Sequence, residues 1–420
     1  MRNLGFIVLK LGLMIVLFVA SFAAFSQGGS NYSTIGYGDI TDGRDAYYDG
    51  FAGAITAIPN QEHINPLNPA MWTYNKTTRL QFGYRFNQQL VESNESSLYQ
   101  NNGMVDNFSV MFALDTATGF SAAMGLRRVT DINYYIANPF SISKDGLGLS
   151  GNVFHQADGG MNNAFLGTAY RLPFGLALGG VIGYYFGDVE QTVQTVFDQS
   201  IASATDYQRE SRITGLNYRF GVDYQLNESL NLAAFYASDP GLSVDTRLIS
   251  FSLFSASGIN IDTLDTTESD AIFPQRLGLG ASYTIDRLLF SADYQMTMAD
   301  GVEFRQPQNG EMVNGFSFAV GAERRASRFA SARFGERVSY RLGLGYTALP
   351  YSISGEQINE YMLGAGLTLP LPGTALIDLG LQAGQRGTIK SGLVKESFIR
   401  MNFSLSIGDT WFIPFERDFD

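Results

Sequence analysis

The sequence predicts an all-β fold, a transmembrane antiparallel β-barrel of about fourteen strands with an N-terminal plug, or hatch, inside its lumen. Three observations carry this. From Arg79 onward, long segments alternate apolar and polar residues at period 2, the signature of a strand with two unlike faces. Aromatic residues make up 13% and glycines number 46, while charged residues reach only 16%, against roughly 25% in ordinary globular chains. After the first residues, no stretch approaches the roughly 18 unbroken apolar residues of a membrane helix. An apolar content spread one residue in two suits a barrel whose outside meets lipid.

Taken in order, the chain opens with what reads as a signal peptide, residues 1–26. Arg2 and Lys10 supply positive charge, Leu11–Ala20 a mostly apolar run, and Ala24-Phe25-Ser26 small residues at the −3 and −1 positions before Gln27. A membrane anchor is the alternative, but the run is short for one. Residues 27–76 form the hatch. Within them, Asn31–Asn75 has no sustained period and is rich in Gly, Asp, Asn and Pro. Gly36, Gly38, Gly50 and Gly53 allow tight bends. The segment closes on Asn65-Pro66-Leu67-Asn68-Pro69-Ala70, a run that can continue neither a helix nor a central strand.

The barrel occupies 77–408 and a tail 409–420. In Arg79–Asn87, Leu80, Phe82, Tyr84 and Phe86 share one face, while Arg79, Gln81, Gly83 and Arg85 share the other. The same separation recurs in Arg276–Asp286, Val338–Thr347 and Ile399–Ile407. The outward sets carry no charge at mid-strand, where a cation facing lipid costs roughly 2–4 kcal/mol. Strands are expected near 77–93, 104–115, 119–135, 161–172, 175–197, 205–226, 229–254, 271–286, 288–305, 313–328, 336–353, 356–370, 373–388 and 393–408. Twelve or sixteen are the alternative counts. Tight links alternate with longer ones, notably 136–160 and 255–270, read as outer loops. Leu147–Gln156 is read as part of the first loop, an extra strand being the alternative. Ser354-Gly355 is short on the outer side and 329–335 long on the inner side.

Composition also excludes. A net charge of −12 argues against nucleic acid or anionic lipid as the main partner, since those call for a basic surface. With no Cys there is no disulfide, thiolate nucleophile or Cys-ligated metal. The two histidines, His63 and His155, are not spaced as metal ligands. His155 beside Asp158 is thin support for catalysis, and His63 beside Glu62 reads as a satisfied structural histidine. No cofactor, metal or enzymatic activity is expected.

With hatch and strands in view, the sequence resembles the FadL-type outer-membrane transporters of long-chain fatty acids and other hydrophobic compounds, in particular the branch common in Bacteroidetes. The resemblance rests on Asn68-Pro69-Ala70, on Phe273–Tyr283 with its return Ser291-Ala292-Asp293-Tyr294, and on Tyr340–Tyr346. Gly384-Gln385-Arg386-Gly387 and the ending Trp411-Phe412-Ile413 complete it. It implies a fourteen-stranded barrel in the outer membrane of a Gram-negative bacterium, blocked by its hatch and taking up hydrophobic molecules by diffusion. The tail departs from the usual terminal aromatic of a barrel.

The candidate site residues are the hatch motif Asn65, Pro66, Asn68, Pro69 and Ala70, and the inward Arg85, Arg276 and Arg400. Those arginines either hold an anionic head group or tie the hatch to the wall through Asp39, Asp42, Asp45 or Asp49. Arg324, Arg325, Arg328, Arg333 and Arg337 cluster about 329–335, as an anionic contact or as a solvated turn. The expected partners are outer-membrane lipid and a hydrophobic ligand such as a fatty acid, bound by a monomer. The rival function is a barrel that transports nothing and serves a protein secretion apparatus as scaffold or shuttle.

Overall fold

The computed structural model describes residues 28–411 except 145–146, 199–204, 239–240, 255–257, 304, 306–309, 328 and 330. The signal peptide, Arg328 and nearly all of the tail therefore lie outside the described residues. The barrel strands, in chain order, are β1 (Thr78–Glu92), β2 (Ser97–Asp115), β3 (Phe120–Arg128 continuing as Thr130–Lys144), β4 (Leu147–Gly159 and Asn162–Arg171) and β5 (Leu176–Phe197). There follow β6 (Thr205–Gln225), β7 (Leu230–Ser238 and Leu242–Phe254), β8 (Gly258–Ala271 and Gln275–Ile285), β9 (Leu288–Met298) and β10 (Gly310–Met312 and Gly315–Arg324). β11 (Ser339–Ile353), β12 (Glu356–Pro370), β13 (Leu376–Gly387) and β14 (Lys395–Asp409) complete the set. Each pairs antiparallel with its chain neighbours, and β14 pairs with β1 from Thr78↔Asp409 to Glu92↔Lys395. The sheet is a closed fourteen-stranded barrel.

The faces are those of a membrane barrel. On β11, Tyr340 and Leu342 are 42% and 63% exposed while Arg341 between them is 2% exposed. Leucine outside and arginine inside is the reverse of a soluble protein. It is stable only where lipid surrounds the wall and polar groups find partners within. Exposed aromatics form two girdles. Phe120, Tyr170, Tyr224, Tyr283 and Tyr340 lie toward one rim, and Tyr184, Tyr218, Tyr346 and Tyr361 toward the other, as interfacial side chains with one wet end do.

Three sequence expectations are corrected. The loops expected over 136–160 and 255–270 are mostly strand, since β3 runs on to Lys144, β4 starts at Leu147 and β8 at Gly258. Leu147–Gln156 thus belongs to the fourth barrel strand rather than to a loop. β2 begins at Ser97 instead of residue 104, and β9 ends at Met298. These segments extend toward the long-connection rim, where the strict alternation that marks a lipid-facing strand fades. The other irregularities hold: Ser354 and Gly355, both at positive φ, close a two-residue turn. Residues 325–338 form the longest link at the short-turn rim.

Candidate functional site

Residues 28–75 thread among inward side chains from around the barrel. They contain short helices at Asn31–Thr34, Ala46–Asp49 and Pro69–Tyr74 and a two-residue strand, Asp39–Ile40, paired to β3. Gly36, Gly38 and Gly53 take positive φ, whereas Gly50 caps a helix in the right-handed region.

The Asn-Pro motif builds its own scaffold. Asn65 donates to Ile55 O at 2.7 Å and accepts from Leu67 N and Asn68 N at 2.9 Å. Its backbone carbonyl accepts from Trp72 Nε1. Asn68 accepts from Ala70 N, capping the Pro69–Tyr74 helix, and donates to Thr56 O and to Val222 O of β6. Pro69 opens that helix, where its missing N–H costs nothing. The carbonyl of Pro66 accepts from two arginines of the wall, Arg127 (2.7 Å) and Arg219. Gly179 and Gly221 leave room here: a Cβ on Gly179 would lie 2.5 Å from Ala70 N, and one on Gly221 would strike Asn68 Oδ1.

Buried charge pairs run through the lumen, from Asp378 near the short-turn end of β13 to Arg386 near its other end. Arg85 of β1 meets Asp49 at 3.2 Å and Asp106 of β2 at 2.7 Å, and Asn402 donates to both carboxylates. Arg276 of β8 meets Asp42 at 2.5 Å. Arg386 of β13 bridges Asp39 and Glu360, each at 2.6 Å. Asp293 of β9 accepts from Ile55 N and Thr56 N. Arg341 lies between Glu323, which Tyr47 also contacts, and Asp378. His63 stacks on Tyr47, with centroids 4.1 Å apart, and its Nε2 lies 2.8 Å from Asp378 Oδ2. Burial by itself would push His63 down, but the Asp378 carboxylate overrides it and holds the imidazole above its ordinary pKa. Burial likewise pushes the Asp45 carboxyl of the hatch up to about 7.

Of the three arginines singled out in the sequence, Arg85 and Arg276 meet hatch carboxylates, whereas Arg400 meets Glu360 of the wall at 3.2 Å. All three line one cavity of about 170 Å³, together with Phe316, Met362 and Tyr351. The acids that complete these contacts (Asp106, Asp293, Glu323, Glu360 and Asp378) were not singled out. Their signal was present, because each is an acid at an inward position of an otherwise amphipathic strand.

Nearer the long-connection rim the lumen turns apolar. Tyr32, Ile35 and Tyr37 pack with Ile132, Tyr185, Phe273 and Tyr351 in one buried cluster. Beside it the wall has a seam. β2 and β3 share a ladder only over Asn107–Asp115, and Ser97–Asp106 pairs with β1 alone. The facing edge of β3 is taken by the N-terminal segment: Asp39 and Ile40 pair with Asp131 and Thr130, and Ser33 Oγ bonds the backbone of Asn133. Among the described residues, the side chains of Gln100 and Asn102 cross the seam, to Tyr135 O and to Asp131.

A closed fourteen-stranded barrel with an apolar exterior and a charge-paired interior defines the class, that of the outer-membrane β-barrels. The sequence profile of the BamG family matches residues 8–417, and the chain belongs to that family. No curated protein matches it in sequence. Solved structures share the fold. The monoaromatic hydrocarbon channel CymD superposes with a TM-score of 0.59 at 13% identity, over 90% of this chain and 100% of its own. The toluene transporter TodX of Pseudomonas putida gives 0.57 at 13%, over 89% and 99%. A FadL homologue of Pseudomonas aeruginosa gives 0.57 at 11%, over 86% and 97%. The FadL-type resemblance therefore holds as one of fold, while the family itself is BamG.

Proposed function

We propose that this chain is a plugged outer-membrane barrel that admits hydrophobic small molecules, with its short-turn rim in the periplasm and residues 27–76 acting as the hatch. The observation that carries the reading is the apolar cluster within an ion-paired lumen. An apolar molecule gains by entering the outer cluster around Tyr37, Tyr185 and Phe273. Around that cluster the lumen is closed by paired charges, which the molecule could part only by leaving buried ions uncompensated. The wall opens its ladder beside the apolar cluster, so the exit is sideways along the β2–β3 seam rather than down the axis. Proteins of this fold are named for toluene and monoaromatic hydrocarbons.

The test uses the absence of native cysteine. Ser33→Cys with Asn133→Cys, oxidised, staples the N-terminal segment across the edge of β3. Uptake of labelled toluene or oleate by cells is expected to fall and to recover on reduction. Unchanged uptake in the oxidised state sinks the seam route.

The filling of the lumen supports a second reading, a barrel that transports nothing and serves protein secretion. Its charges are satisfied by its own hatch, and the cavity walls are largely ion-paired. If cells need the protein yet the staple alters neither growth nor uptake, this second reading replaces the first.

A further inference from the structure

We propose that the link 325–338 and the strand ends it joins bind the phosphate of an anionic phospholipid in the periplasmic leaflet. The inference takes the rim orientation from the reading above but is independent of any transport. On a chain of net charge −12, arginines gather here: Arg287, Arg324, Arg325, Arg333 and Arg337. Two of them shape the link. Arg287 donates to Arg325 O and Glu336 O, and Arg325 donates to Pro59 O of the hatch and meets Glu323. Glu336 accepts from Arg333 N, closing the turn of Phe334–Glu336. The guanidinium groups of Arg324, Arg333 and Arg337 have no carboxylate within 4.0 Å among the described residues, and Arg337 Nε is buried without a hydrogen bond.

Placement decides which anion these groups face. Arg324 continues the outward set of β10, after Phe316, Phe318 and Val320, and stands 5.8 Å over the ring of Tyr340. Tyr340 belongs to the outward set of β11 and donates to Gly335 O. At Gly335 and Arg324 the link thus meets the outside of the wall at the aromatic girdle, while Arg325 faces the lumen. Phe329 is 76% exposed and Phe334 44%. Arginine forks bind phosphate with two parallel hydrogen bonds. Cations beside phenylalanines at the interface match a lipid, whose phosphate sits just above its acyl chains. An acidic protein below the rim would meet the cations but leave both phenylalanines without an apolar partner.

The experiment is native mass spectrometry of the full-length barrel released from micelles holding equal phosphatidylglycerol and phosphatidylcholine with the same acyl chains. The wild type is expected to retain phosphatidylglycerol preferentially, by about fivefold for each arginine engaged. Arg324→Gln, Arg333→Gln and Arg337→Gln combined are expected to bring the two lipids to equality, with heat-modifiable migration unchanged. Arg212→Gln, an exposed arginine at the opposite rim, should keep the preference. Should the triple variant fail to fold, Arg333→Gln alone, on an exposed side chain, replaces it and should reduce the preference. Equal retention by the wild type overturns the proposal, as does loss of preference in Arg212→Gln. Displacement of the lipid by inorganic phosphate would assign the site to a free anion, and binding of a polyglutamate peptide without lipid preference would assign it to a protein. Either result overturns the proposal too.

Discussion

Three side chains of the wall, Arg85, Gln382 and Asn402, reach the Asp49 carboxylate, and its loss would leave Arg85 buried against Asp106 alone. Breaking a buried pair by removing one member costs about 3–5 kcal/mol. Asp49→Ala and Arg85→Ala are each expected to lower stability to urea by about that amount, with the double variant losing less than the sum. Asn68→Ala strips three hydrogen bonds from the hatch and should cost about 1–3 kcal/mol. Trp72, buried and bonded to Asn65 O, reports it: its emission should move to the red while the barrel still migrates as folded. His63 supplies a pH dependence. Its pKa is raised in the fold, so the stability it adds is complete below the ordinary imidazole value of about 6.5 and is lost as pH rises through the folded value. Asp45, raised to about 7, acts with the same sign at lower pH, its contribution being lost between acid and neutral pH, so the neutral-to-alkaline range belongs to His63. Urea midpoints should therefore fall as pH rises from neutral to alkaline, and His63→Asn should flatten that slope; an unchanged slope in the variant would refute the assignment.

Among the elements, the strands β5 and β6 accept the hatch only because Gly179 and Gly221 lack a Cβ where Asn68–Ala70 press on them. Valine suits a strand ladder well, so Gly221→Val should leave the wall intact and unseat the motif. Single-channel recordings are expected to show conductance in Gly221→Val and silence in the wild type. A silent variant with unshifted Trp72 emission would mean that the close approach is not limiting. The motif Asn65-Pro66-Leu67-Asn68-Pro69-Ala70 was visible in the sequence as a break in periodicity. Its partners were not, because Arg127 and Arg219 look like any inward polar residue until the barrel closes around Pro66.

For the whole molecule, the hatch and the wall are two stability problems with one solution. A fourteen-stranded wall encloses more space than its inward side chains fill, and those include arginines and acids that need partners when water is excluded. Removing residues 28–76 leaves Arg276 without Asp42 and Arg386 without Asp39. The truncated barrel is expected to assemble with a lower urea midpoint and to conduct steadily. A truncated barrel as stable as the full chain would show that the charge pairs do not depend on the hatch.

The sequence by itself determined the barrel, its count of fourteen and the course of most strands, because a lipid-facing wall demands an apolar residue at every second position. It also marked the N-terminal segment as unlike the wall, since prolines and glycines interrupt any period. It lost the strand extensions at Thr130–Lys144, Leu147–Gly159 and Gly258–Ala271, which run toward the long-connection rim, where a lipid-facing alternation is no longer required. Only the tertiary structure decided which charges meet. Arg85 and Asp49, or His63 and Asp378, stand 36 and 315 residues apart, and closure of the barrel brings them within hydrogen-bonding reach. It alone set Arg400 against Glu360 rather than the hatch, and placed the seam beside the apolar cluster, because ladders and ion pairs depend on register around the ring, which alternation leaves open.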